Sequence, residues 1–242
     1  CDKALFWDPL GYANDAAAAQ IVFGKRFLPT YHLEHARTII GFGADFLGDS
    51  ASLSHQSAFS KAKNPDFDGF ITRFAHISPY RGQTGANADD WYACRPGTES
   101  MVAMAIARLV AEQRPQANEA ARELALQGNP DDAANASGIS IEIIQDIANR
   151  MLSSGPSVAL PGGTSGASDM GTALAVATTI LNIVAGNLGT TVELSGYTGK
   201  ISKFKEIEEL VDEMNAGKIG ALLIDDVNPV YALPAKTGFD LA

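Results

Sequence analysis

Two nearby segments carry the residues best suited to hold an anionic ligand. Residues 78–89 read Ser-Pro-Tyr-Arg-Gly-Gln-Thr-Gly-Ala-Asn-Ala-Asp, and residues 95–99 read Arg-Pro-Gly-Thr-Glu. Each segment combines an arginine with hydroxyl groups in a turn, and such donors beside the start of a helix bind phosphate groups well. The segments therefore predict a site for a phosphate and a polar heterocycle. A turn-rich connection in an ordinary α/β domain is the alternative interpretation of the same residues.

Three other patterns indicate no further cofactor. Gly41 and Gly43 lack the third glycine of a NAD-binding fingerprint, because Phe46 stands at that position. The glycine-rich residues 161–166 lack the lysine of a P-loop, so they predict a strand-to-helix turn, with a backbone anion nest as the alternative. The two cysteines do not have the spacing of an iron-sulfur or zinc site. The sequence therefore predicts neither a metal ligand nor a catalytic residue in this chain.

The composition is that of an acidic globular protein. Of the 242 residues, 46% are hydrophobic, a fraction that excludes general disorder. The formal net charge of −10 repels a phosphate backbone, which argues against a nucleic-acid partner. The uncharged residues 170–192 are long enough to cross a bilayer but contain threonines and asparagines, which are costly in lipid. They therefore predict a buried helix and no direct membrane span.

Apolar runs that alternate with helical patterns predict the elements that position these residues. The predicted strands are residues 38–43, 73–77, 91–94, 157–160 and 221–224. The helical patterns between them predict an α/β fold made of two adjoining Rossmann-like parallel-sheet units. The polar residues 118–140 predict a boundary between a nucleotide-binding-like domain over residues 1–139 and part of a second, incomplete α/β domain over residues 140–242.

The two anion-binding segments resemble loops of the molybdopterin oxidoreductase (DMSO reductase) family. The family pattern is acid-Pro-Arg-x-[ST]-x-Thr-[AG]-x-x-Ala-Asp, followed by [RK]-Pro-Gly-Thr-[DE]. Residues 40–47 are similar to the family's preceding strand and loop, residues 186–189 to its Gly-Asn-[IVL]-Gly element, and residues 228–231 to its later Asn-Pro loop. These similarities occur in the family's order, which makes the resemblance more specific than any single motif.

The resemblance implies which residues would hold a cofactor. In the family these loops hold the guanosine diphosphate end of a pyranopterin guanine dinucleotide, and the Asn-Pro loop faces a second dinucleotide. Carried over residue by residue, the cofactor-binding positions are Asp45, Arg81, Thr84, Asp89, Arg95, Thr98 and Asn228. Because strand-end loops of a doubly wound sheet converge, we expect these residues to border one crevice at the carboxyl ends of their strands.

Departures from the family pattern indicate one branch of the family. Ser78 stands where most members have an acid, Tyr80 separates the proline from the arginine, and Asp45-Phe46 replaces an Asn-Pro pair. The Phe-Leu-Gly at residues 46–48 resembles a quinone-linked branch that includes the molybdopterin-like subunits of alternative complex III and of menaquinone reductase. In that branch the corresponding region holds no molybdenum, so the resemblance implies no cofactor within this chain.

The charges near the predicted crevice favour the same expectation. A bis-dinucleotide carries two pyrophosphates and needs several cationic donors. Two nearby arginines, Arg81 and Arg95, stand against the carboxylates of Asp45, Asp49, Asp89, Asp90, Asp225 and Asp226. Acid outweighs base, which favours a crevice without the dinucleotides.

The predicted function follows from the resemblance. The chain would be a fragment of a membrane-associated, quinone-linked electron-transfer subunit that scaffolds iron-sulfur clusters on a neighbouring polypeptide. Its expected partners are an iron-sulfur domain and a quinone-binding membrane subunit, and its expected location is peripheral, on the periplasmic side of the bacterial inner membrane. The alternative is a catalytic subunit that holds a molybdenum bis-(guanine dinucleotide), as in polysulfide and thiosulfate reductases.

Overall fold

The computed structural model describes residues 4–6, 12–48, 53–194 and 202–240. Residues 10–198 form one compact unit, here named the main unit. Residues 1–9 and 199–242 form a second unit. The two segments that resemble cofactor loops lie in the main unit, and the Asn-Pro loop lies in the second.

A four-stranded parallel sheet forms the centre of the main unit. The strands of the described residues are β1 (Thr30–Tyr31), β2 (Thr38–Phe42), β3 (Arg73–Ser78), β4 (Asp90–Ala93), β5 (Ser157–Pro161) and β6 (Val192–Glu193). The sheet order is β4-β3-β2-β5, and Ile40 lies in register with Ala75 of β3 and Ala159 of β5. β1 and β6 form a separate antiparallel pair. Four of the five predicted strands are thus present and parallel, which confirms the α/β fold class.

The order of the strands creates a switch point in the sheet. From β2 the chain adds β3 and then β4 on one side, and it returns to place β5 on the other side of β2. The order of addition therefore reverses between β2 and β5, and the loops that leave these two strands lie side by side at their carboxyl ends. Open α/β sheets place their ligands at such a point.

Helices cover both faces of the sheet. The described α-helices of the main unit are α1 (Tyr12–Phe23), α2 (Leu53–Ala62), α3 (Pro65–Asp68), α4 (Gln83–Ala86), α5 (Glu99–Gln113), α6 (Glu119–Ala125), α7 (Pro130–Ser137), α8 (Ile141–Ser153), α9 (Gly163–Gly166) and α10 (Gly171–Val184), and those of the second unit are α11 (Phe204–Asn215) and α12 (Pro229–Ala232). Ile40 packs in one core cluster with Ile106 of α5, and Ile39 packs in the other with Phe59 of α2 and Phe74. Because successive strand residues point to opposite faces and both faces are covered, apolar residues occur at successive positions of the inner strands rather than at every second position.

The uncharged residues 170–192 contain a largely buried helix, α10, as predicted. α10 is 14 residues long and ends at Val184. The buried Thr178 and the partly buried Thr179 donate to backbone carbonyls about one turn earlier, which satisfies their hydroxyl groups. Among the described residues, no helix has both the length and the apolar character needed to span a bilayer.

The outer edge of β5 is closed by side chains. The backbone N–H of Ala159 donates to Oδ1 of Asn182 (2.9 Å), and Nδ2 of Asn182 donates to the Ala159 carbonyl (2.8 Å). The hydroxyl of Thr191 donates to the carbonyl of Ser157. These bonds pair the N–H and carbonyl of Ala159 and the carbonyl of Ser157, as a neighbouring strand would.

One predicted strand is wrong. Residues 221–224 belong to the second unit, where they are exposed and pair with no strand of the described residues. Leu223 is 89% exposed. The apolar run resembles the buried strands locally, but a strand exists only where another strand accepts its backbone hydrogen bonds, and no such strand is present in this unit as described.

The predicted domain boundary falls inside the main unit. Residues 139 and 140 lie between α7 and α8, and both of these helices pack on α5. β5, from the C-terminal side of that boundary, pairs with β2 from its N-terminal side. Strands from both predicted domains therefore share one sheet.

Candidate functional site

The candidate site is the edge of the sheet where the parallel strands end. We name this edge the carboxyl edge and define it by the residues that follow the strands, 43–48 after β2, 79–86 after β3, 94–99 after β4 and 162–166 after β5. The switch point between β2 and β5 lies on it. Four loops from distant parts of the chain therefore meet at this edge.

Asp45 and Thr84 join the loops after β2 and β3. Thr84 is buried at 1% exposure in α4, and its hydroxyl donates to Oδ1 of Asp45 at 2.7 Å. The same hydroxyl oxygen accepts a hydrogen bond from the backbone N–H of Leu47 (3.0 Å). The structure therefore brings these two predicted site residues together, 39 positions apart in sequence. The Thr84 hydroxyl and the Asp45 carboxylate are therefore hydrogen-bond partners of each other.

Glu99 and Ser165 form a second polar pair on the carboxyl edge. Glu99, the first residue of α5, is only 2% exposed, and Ser165 donates from Oγ to Oε1 of Glu99 at 2.7 Å. The positive end of the α5 dipole favours a carboxylate at this position. Both residues lie in segments that the sequence analysis considered as possible ligand-binding turns. Their pairing could not be predicted, because the two residues are 66 positions apart and no local pattern links them.

Two glycines bring the β2 and β5 loops into direct contact at the switch point. Gly43 has φ +64°, and a Cβ there would lie 2.1 Å from Oγ of Ser165. Gly163 has φ +58°, and a Cβ there would lie 2.1 Å from the Gly43 carbonyl oxygen. Each position requires glycine both for its backbone angle and for the close approach. The backbones themselves fill the gap between these two loops.

A buried histidine lies behind the Asp45 loop. His76 of β3 is 4% exposed and lies in register with Gly41 of β2. Burial lowers the pKa of His76 from its ordinary value of 6.5 to about 4, and the carboxylate of Asp45 opposes this shift in part. Its Nδ1 has no hydrogen-bond partner among the described residues. The imidazole is therefore neutral at physiological pH.

The two arginines of the carboxyl edge have different surroundings. Arg81 is exposed, and its guanidinium lies 5.9 Å from the centre of the Trp91 ring. Arg95 donates from Nη1 to the carbonyls of Asn135 (2.7 Å) and Ala136 (2.8 Å) in the last turn of α7. The negative end of a helix dipole favours such a cation. The Arg95 guanidinium is thus hydrogen-bonded to the end of α7, whereas the Arg81 guanidinium is accessible to a ligand.

Asp89 does not lie on the carboxyl edge. It immediately precedes β4, and its Oδ2 accepts from the backbone N–H of Phe74 (2.7 Å) near the start of β3. Lys63 lies 2.5 Å from the same oxygen. Four residues of strand separate Phe74 from the end of β3, a distance of about 13 Å at the usual rise. Asp89 therefore lies near the start of β3, and the carboxyl edge lies at its end. The prediction that Asp89 borders the same crevice as Thr84 is wrong.

Thr98 and Asn228 each bond within their own loop. Thr98 occupies the N-cap position of α5, but its hydroxyl donates to the carbonyl of Arg95 (2.6 Å). Asn228 belongs to the second unit, where its Oδ1 accepts from the backbone N–H of Tyr231 (3.2 Å) at the start of α12. Thr98 thus follows β4 on the carboxyl edge. A place for Asn228 beside that edge stays a prediction.

Several polar groups of the carboxyl edge are paired within the chain. The Asp45 and Glu99 carboxylates and the Arg95 guanidinium already have partners within the chain, and the β2 and β5 loops touch. Within the described residues, no three histidine, cysteine, aspartate or glutamate side chains are grouped closely enough to hold a metal ion. Asp49, also predicted near the crevice, lies outside the described residues.

Known proteins resemble this chain in sequence and in fold. The menaquinone reductase, molybdopterin-binding-like subunit, of Nitratidesulfovibrio vulgaris (strain Hildenborough) is 25% identical over 256 residues, covering 98% of this chain. The chain spans 37% of the length of that relative. Acetylene hydratase from Pelobacter acetylenicus superposes on 75% of this chain with a TM-score of 0.58 and 16% identity, covering 25% of the hydratase chain. No protein-family model matches the chain.

These comparisons agree with the expectations from sequence. The curated relative confirms the predicted resemblance to molybdopterin oxidoreductases, since its name describes a molybdopterin-binding-like subunit. The structural likeness confirms the predicted fold class. At 16% identity this likeness concerns the fold alone, because one fold hosts many functions.

Proposed function

We propose that this chain, with the fold of molybdopterin oxidoreductases, is part of a subunit in a membrane-associated, quinone-linked electron-transfer complex. Its role there is to act as a scaffold, without a molybdenum cofactor of its own. The curated relative, similar along 98% of this chain, supports the proposal through its name. Because the chain spans 37% of that relative, reductase activity is proposed for the complex rather than for this chain.

The observation that carries the scaffold proposal is the internal pairing of the carboxyl edge. Thr84 donates to Asp45, and Ser165 donates to Glu99. A dinucleotide that used these groups would first have to break these bonds, and the loss of a buried partner costs about 1–3 kcal/mol for each group left unsatisfied. An edge whose polar groups already bind one another is suited to hold the fold together rather than to hold a nucleotide.

The charges of the carboxyl edge support the same conclusion. A bis-dinucleotide brings two pyrophosphates into a partly desolvated site, where each needs cationic donors. Within the described part of the chain, neither arginine of this edge forms an ion pair, but the Arg95 guanidinium already donates to carbonyls at the end of α7, whereas the Arg81 guanidinium lies over the Trp91 ring. The carboxylates of Asp45 and Glu99 would oppose the phosphates.

The proposed partners follow from the chemistry of quinone reduction. Electrons must reach the quinone through redox centres, and the chain has two cysteines without the spacing of a cluster site. We therefore assign the iron-sulfur clusters to a neighbouring polypeptide and the quinone site to a membrane subunit. The chain itself is proposed to be a peripheral component on the periplasmic side of the bacterial inner membrane.

Metal and pterin analysis of the purified parent complex tests this proposal. We expect neither molybdenum nor tungsten at a significant fraction of the complex, and no fluorescent pterin on denaturation. A molybdenum reductase purified by the same procedure serves as the positive control. Either metal near one atom per complex, together with released pterin, would refute the scaffold role.

A catalytic subunit with a molybdenum bis-(guanine dinucleotide) is the second candidate. The observation that favours it is the exposed guanidinium of Arg81 on the carboxyl edge, which is free to bind a phosphate. An Arg81→Ala variant separates the two candidates. Loss of pterin content in the variant complex supports the catalytic role, whereas unchanged assembly and unchanged electron transfer support the scaffold role.

A further inference from the structure

We draw no further inference here: the strongest candidate, the apolar groove of the main unit between α1, α5, α6, α7 and α10, carries no proposal, because nothing in the described part of the chain shows what covers it.

Discussion

The buried carboxylate of Glu99 accepts a hydrogen bond from the hydroxyl of Ser165 at 2.7 Å, and this bond ties the start of α5 to the loop after β5. Glu99 begins the main helix on one face of the sheet, and Ser165 packs against Gly43 at the end of β2. One polar contact thus joins three elements at the switch point.

Loss of the Glu99 carboxylate should destabilise the protein. Glu99→Leu leaves the buried Ser165 hydroxyl without its acceptor, and we expect the free energy of unfolding to fall by about 1–3 kcal/mol in urea denaturation. In a Ser165→Ala background the same substitution should cost about 1 kcal/mol less, because the two side chains are coupled. Glu208→Leu, at an exposed position of α11, is the control. Equal costs in both backgrounds would show that the bond contributes nothing.

The contact between the β2 and β5 loops should not tolerate a side chain at Gly43. Gly43→Ala places a Cβ 2.1 Å from Oγ of Ser165 at a positive φ. Gly138→Ala is a matched control, since its φ is +82° and no atom lies within 4 Å of the added Cβ. We expect the control to lose about 1 kcal/mol of stability and Gly43→Ala at least about 2 kcal/mol more. Equal losses in thermal or urea unfolding would contradict the close packing.

The outer edge of β5 should depend on the carboxamide of Asn182. Asn182→Leu keeps the volume but leaves the N–H and carbonyl of Ala159 without partners, so we expect a loss of about 2–4 kcal/mol in the free energy of unfolding. The freed edge should also increase aggregation, measured by light scattering, because it can pair with another strand. Asn149→Leu, exposed on α8, should change stability by less than about 0.5 kcal/mol. A variant as stable and as monodisperse as the parent would refute this role.

Protonation of His76 should reduce stability at mildly acidic pH. The unfolded chain takes up this proton near pH 6.5, but burial delays uptake in the folded protein to about pH 4. The unfolded state therefore binds more protons between these values, and stability is lost as the pH falls through this window. We expect a loss of about 2 kcal/mol from pH 7 to pH 5, measured by urea unfolding.

A His76→Leu variant isolates this contribution. Its stability should depend less on pH over the same range, and the exposed His35→Gln serves as the control. Burial also lowers the pKa of His55, so some pH dependence should remain in the variant. An unchanged pH dependence in His76→Leu would rule out His76 as its cause.

The strands of the sheet could be predicted because their signal is local. Residues 38–42, 73–78 and 157–161 are mainly apolar and do not alternate between apolar and polar residues, and this pattern reflects burial on both faces whatever the order of the strands. Residues 221–224 carry the same pattern but are exposed and unpaired within the described part of the chain. A strand also requires a partner, and the choice of partner depends on the rest of the fold.

The sequence predicted the positions of site residues correctly only where a residue follows the end of a strand. Asp45 and Thr84 both follow strands, so the convergence of strand ends placed them together. Asp89 lies in the same motif as Thr84, but it precedes β4 and therefore reaches the opposite end of the sheet. Asp89 and Thr84 are close in sequence, but they lie at opposite ends of β3.

The sequence by itself determined the α/β class, the acidic surface and the resemblance of the loops, because these depend on composition and local order. Only the tertiary structure decided which polar groups remain available. Arg95 binds α7, Ser165 binds Glu99, and Gly43 meets Gly163 across more than a hundred positions of sequence. Hydrogen bonds and close packing act over a few ångströms in space, so a residue's partners emerge only when the chain has folded.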